Sequence, residues 1–187
     1  MVLLFYTYSM KALTLSLFAL AASLTLYATE VQTMQVTSIF AANTHIPKNF
    51  TGEGADESLP LHIDGIPPEA KTVAVIMDDP DAPVGTFVHW VLWNYPVSGS
   101  SLALSQGLPK TAKLPNGALQ GITDFGRQGY NGPMPPRGHG IHHYHIKVYA
   151  LDSALSIPNT SRKADLERAM KGHILAQAEL VGLYERK

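Results

Sequence analysis

The sequence predicts a mainly β protein, an antiparallel β-sandwich with short peripheral helices and one helix closing the chain. Three observations carry this. Short apolar runs alternate with Pro, Gly, Asn and Asp punctuation through most of the chain, the pattern of strands and turns. The strand–helix–strand alternation of a parallel sheet does not occur. Only the end of the chain changes character, Ser161 to Arg186 being rich in Ala, Leu, Glu and Lys without Pro, a helix-forming composition.

The chain begins with a different kind of segment. Residues 1–28 hold a single charge, Lys11, followed by an apolar run from Ala12 to Ala28. This is a secretory signal pattern, with Met10 as an alternative start and cleavage expected after Ala28. Residues 29–187 are then one domain, long enough for a single core. Leu26, three residues before that cleavage point, is bulkier than usual, and Met1 to Ser9 extend the segment to membrane-spanning length. An uncleaved anchor is the alternative, and export is expected in both cases.

Candidate strands follow at Met34 to Ile39, Leu61 to Ile63, Thr72 to Met77, Phe87 to Tyr95 and Ile141 to Leu151. The run TVAVIM from Thr72 is apolar at nearly every position, as in a central strand covered on both faces. Long loops are expected over Ser98 to Gly121 and Asp124 to Gly140, rich in Gly, Pro and Ser. From Ser161 to Arg186, Leu166, Met170, Ile174 and Val181 fall at near-helical spacing. One amphipathic helix is expected there, with a break near Gly172 and Thr160 or Ser161 as N-cap.

Charge and composition narrow the function. With 14 Lys and Arg against 15 Asp and Glu, no charge block and no Cys, nucleic acid is not an expected partner. Disulfides, thiolate metal sites and Cys nucleophiles are excluded. There is no G-x-S-x-G elbow, P-loop or dinucleotide fingerprint.

Three clusters remain. Asp78-Asp79-Pro80-Asp81-Ala82-Pro83 follows the central strand, and its two prolines predict a rigid acidic turn. His89 lies in Phe87 to Trp93, where alternation puts it on one face with Phe87, Val91 and Trp93. Both faces are apolar, so His89 is expected to be buried and to need a partner such as an Asp. Further on, Gly129 to Gly140 leads into Ile141-His142-His143-Tyr144-His145-Ile146-Lys147-Val148-Tyr149. Period two sends His142, Tyr144, Ile146 and Val148 to the core, and His143, His145, Lys147 and Tyr149 to the other face. Loop glycines beside His142 can turn backbone N–H groups toward an anion. A metal site at His139, His142, His143 and His145 is disfavoured, because neighbouring strand residues point to opposite faces.

Together these motifs resemble the phosphatidylethanolamine-binding protein family, in particular its bacterial Raf kinase inhibitor-like branch, the YbhB/YbcL type. The resemblance rests on Asp79-Pro80-Asp81-Ala82-Pro83, His89-Trp90 with Asn94, Gly132 to Tyr144, and Ala169 to Leu180. It implies a Greek-key sandwich with a C-terminal helix beside a pocket for phosphate or phospholipid head-group-like anions. The matching pocket positions are Asp79, Asp81, His89, Gly132, Pro135, Pro136, His142 and Tyr144. It implies no catalytic residue, no metal and no cofactor, and it allows a homodimer. Two alternatives stand beside this exported, non-enzymatic anion binder: an interaction or inhibitor protein using the pocket rim, and a weak Asp/His-based hydrolase.

Overall fold

A computed structural model describes residues 33–187. The expected signal segment, 1–28, and its cleavage point lie outside the described residues. Two sheets face each other. The smaller pairs β1 (Gln35–Thr37), β3 (Leu61–Asp64) and β6 (Ser101–Leu104) in the order β1-β3-β6. The larger contains β2 (Thr44–His45), β4 (Thr72–Asp79), β5 (Phe87–Pro96), β7 (Leu119–Gln120), β8 (Ile141–Leu151) and β9 (Ile174–Glu185). Its order is β2-β9-β8-β4-β5-β7, antiparallel except where β2 runs parallel to β9. Counting β4, β5, β7 and β8 as first to fourth, their spatial order is fourth-first-second-third, that of a Greek key.

β4 is buried at all eight positions, as an apolar run predicts for a strand with neighbours on both edges and cover on both faces. One face meets the smaller sheet: Val73, Val75 and Met77 join Ile63, Leu61, Leu104, Trp90, Ile146 and Val148. The other face carries Ala74 and Ile76, which pack with Val91, Trp93, Leu166 and Met170 under α1 (Lys163–Met170). The five predicted strands are present, each within two residues of its expected bounds and the first shortened from Met34 to Ile39 to Gln35–Thr37. β6 and β7 lie within the expected loop from Ser98 to Gly121, too short to register as apolar runs.

The closing helix is the main correction. It spans only Lys163–Met170, and Arg162 rather than Thr160 or Ser161 caps it, with the Arg162 N–H donating to Asp165 at 3.0 Å. Gly172 takes a φ of +82°, a left-handed conformation that ends the helix cheaply. The remainder, Ile174–Glu185, is the longest strand of the fold and pairs along the whole of β8. Its buried positions Leu180, Gly182 and Tyr184 follow period two, which the helical spacing of Leu166, Met170, Ile174 and Val181 concealed. The helix therefore precedes the last element instead of forming it.

Candidate functional site

The acidic segment is divided by strand geometry. β4 extends through Asp78 and Asp79 before Pro80 stops the ladder, so the two carboxylates point to opposite faces. Asp78, buried, accepts from Lys147 Nζ at 2.9 and 3.0 Å and from Lys163 Nζ, tying α1 to the back of the sheet. Asp79 points to the front. Its Oδ2 meets His142 Nδ1 at 2.7 Å, and its Oδ1 accepts the Asp81 N–H at 2.9 Å. Three carboxylates that would repel one another in a turn thus have three separate environments.

Asp81 was expected in the pocket and is not there. Its carboxylate accepts from the His143 ring at 2.7 Å and the His143 N–H at 2.8 Å on the outer surface, and these bonds lower its pKa. The reason is the turn: Pro80 and Pro83 carry the chain over the end of β8, whose odd positions face outward. Asp81 fastens the turn to β8 without lining the pocket.

His89 reaches the site through a break in its strand. Met77 pairs with Trp90 and Asp78 with Val88, leaving His89 as the extra residue of a β-bulge. Simple alternation fails there. Trp90 and Leu92 join the core between the sheets, Val88, Val91 and Trp93 join the α1 face, and His89 turns toward Tyr144, ring centroids 5.1 Å apart. Its Nδ1 lies 2.7 Å from the Asn131 carbonyl, so Nδ1 carries the proton and Nε2 is the remaining polar atom. Burial lowers its pKa, against an opposing pull from that carbonyl, and the ring is held neutral.

β8 supplies the rest as its alternation predicts. His142 and Tyr144 are 1% and 0% exposed, while His143 and His145 sit on the outer face against Asp81 and Glu179. The Tyr144 hydroxyl makes no hydrogen bond of good geometry with the protein. Burial, reinforced by the Asp79 carboxylate, raises its pKa well above the usual phenol range, so it remains a donor. Asp79, His89, His142 and Tyr144 border a cavity of about 180 Å³. Its wall is otherwise apolar, with Phe87 and Phe125 edge to face at 4.9 Å and Met134, Pro135 and Pro136 forming the rim.

Gly132 does not line this cavity. It lies beneath the rim, where its N–H donates to Asp56 at 2.6 Å and a Cβ would stand 2.4 Å from the Phe50 carbonyl oxygen. It is a close-packing glycine that lets the Pro133–Pro136 segment approach the core. Among the described residues, no group of three or more His, Cys, Asp or Glu has metal-binding geometry.

The family model of the phosphatidylethanolamine-binding protein matches residues 36–185, nearly the whole described chain. The chain belongs to that family. A UPF0098 protein of Pyrococcus horikoshii is 51% identical over 161 residues, covering 84% of this chain and 79% of its own. The UPF0098 protein YbcL of Escherichia coli is 36% identical over 146 residues, covering 77% and 80%. Its crystal structure superimposes with a TM-score of 0.74, over 82% of this chain and 99% of that one. A phosphatidylethanolamine-binding protein homolog from Chlamydia trachomatis gives 0.73 at 37% identity, over 83% and 99%. This family member is accordingly a non-enzymatic binding protein built on the family's β-sandwich.

Of the positions the resemblance implies, Asp79, His89, Pro135, Pro136, His142 and Tyr144 line one cavity, and Asp81 and Gly132 lie outside its lining. Sequence reasoning missed the apolar wall. Phe87 was legible as a neighbour of His89 by period two, whereas Phe125 sits in an irregular loop with no periodic signal. It also missed that His139 Nδ1 meets His142 Nε2 at 2.7 Å.

Proposed function

We propose that this family member holds a small anionic group, a phosphate or a phospholipid head-group-like moiety, in the cavity of Asp79, His89, His142 and Tyr144. One observation carries the reading: the buried Tyr144 hydroxyl borders the cavity, beside the Asp79 carboxylate, with no hydrogen bond of good geometry among the described residues. An unsatisfied buried hydroxyl costs free energy, about 1–3 kcal/mol, unless a ligand meets it. The adjoining His142, oriented by Asp79, carries on its Nε2, which otherwise meets His139, a second polar contact for the same oxygen cluster. The apolar wall supports a ligand whose remaining part is uncharged or organic. The signal pattern of residues 1–28 supports export, and N-terminal sequencing of the mature protein should then read from Thr29.

The test is calorimetric titration with inorganic phosphate, phosphoethanolamine and neutral tetrahedral dimethyl sulfone. Saturable binding of the anions alone is expected. Tyr144→Phe should bind them about tenfold more weakly with little loss of stability, because the hydroxyl it removes makes no well-formed hydrogen bond among the described residues. Absence of binding to either anion would refute the proposal and turn attention to a protein partner at the rim.

A further inference from the structure

Both ring nitrogens of His142 are taken by protein groups. Nδ1 meets Asp79 Oδ2 at 2.7 Å, and Nε2 meets His139 Nδ1 at 2.7 Å. An imidazole has no third polar atom. On the anion-site reading above, a ligand oxygen can bond to His142 only after one of these two partners leaves.

The surroundings decide which one. Asp79 is 2% exposed, ends a strand paired with the strand of His142, and is pinned a second time by the Asp81 N–H. His139 is exposed and precedes β8 in the chain. Gly138 and Gly140 flank it with φ of +72° and +91°, and a Cβ on either would meet nothing within 4 Å. Arg137, just before the first glycine, is anchored through its side chain to the Lys187 carbonyl and Glu53, and beyond it the backbone makes two long bonds, His139 N–H to Pro136 at 3.3 Å and Gly138 N–H to Arg186 at 3.2 Å. Two glycines in open space give the ring a hinge on each side. Leaving costs one hydrogen bond on an exposed loop, whereas moving Asp79 would break a fully buried hydrogen bond to a carboxylate.

We propose that His139 is a displaceable competitor for the anion site, bonded to His142 Nε2 until a ligand oxygen takes that position. His139 then sets specificity by subtraction. Every ligand that needs His142 is weakened by the fraction of time the ring is in place. A ligand served by Tyr144 and the apolar wall alone is unaffected.

The experiment titrates wild type, His139→Ala and His142→Ala with inorganic phosphate. His139→Ala should bind about three- to tenfold more tightly than wild type, the range expected for removing one competing hydrogen bond. His139 is exposed, so the variant is expected to fold. In ¹⁵N-histidine-labelled wild type, saturating phosphate should move the His139 ring signals toward those of a solvated imidazole. A purely structural histidine would not give that shift. Equal or weaker binding by His139→Ala, with phosphate bound by wild type, overturns the competitor role and leaves the anion site standing. Failure of all three proteins to bind phosphate overturns both.

Discussion

Asp79→Ala tests the centre of the site, because the structure predicts a stability cost as well as a binding one. In the native protein Asp79 and His142 are 2% and 1% exposed and joined at 2.7 Å. Truncation leaves the His142 Nδ1–H buried against apolar neighbours. It also releases the Asp81 N–H, which lies on an exposed turn where water can replace the lost carboxylate. The buried nitrogen therefore dominates, and leaving this donor without its carboxylate partner costs about 3 kcal/mol. For a domain of this size that lowers Tm by roughly 6–12 °C. Urea denaturation at neutral pH measures the free energy, and a double-mutant cycle with His142→Ala isolates the pair. The double variant should recover part of the loss, giving a coupling of about 2 kcal/mol. If Asp79→Ala stays within about 1 kcal/mol of wild type, or the two substitutions add without coupling, the buried pair does not organise this site.

The back of the sheet yields an ordering. Replacing both Lys147 and Lys163 by Met should destabilise more than Asp78→Ala, because the carboxylate is 1% exposed while the lysines are 30% and 21% exposed and can reach water; urea titration showing the reverse order would contradict this. His89 gives a pH dependence. Its pKa is lower folded than unfolded, so its contribution is complete above about pH 6.5 and declines as pH falls through the window down to its folded value. His89→Gln should flatten the stability profile in that window, and an unchanged slope would mean that other groups govern it. At Gly182 an added Cβ would lie 2.5 Å from Ile46 Cγ1 and 2.8 Å from Phe40 Cε2. Gly182→Ala should therefore cost about 2 kcal/mol by overpacking, and a thermal shift within 1 °C of wild type would count against the packing described.

Much of this site was written in local pattern. The alternation of His142, Tyr144, Ile146 and Val148 needed only the two-residue period of a strand, and every one of them is buried. The apolar run from Val73 to Met77 needed only a strand covered on both faces. Position in a strand also fixes which way a side chain points, so Asp78 and Asp79 would have been separable from sequence had the end of β4 been placed two residues later. The same one-dimensional logic failed where two periods compete. Leu166 and Met170 belong to a helix and Leu180, Gly182 and Tyr184 to a strand, and the switch at Gly172 could be read as a kink as easily as an end.

What the sequence by itself determined was the sandwich class, the family, the central strand and the residue types of the pocket, because each follows from periodicity or from motifs contiguous in the chain. Tertiary structure alone decided the rest. The bulge that turns His89 inward exists only in the register between β4 and β5. The pairing of Asp81 with His143 depends on how the Pro turn crosses the end of β8, and the contact of His139 with His142 on how a glycine-flanked loop folds back. Phe125 enters the wall from an irregular loop 38 residues after Phe87 in the numbering, yet the two rings stand 4.9 Å apart. Contacts of that kind are set by the three-dimensional path of the chain, and no local period encodes them.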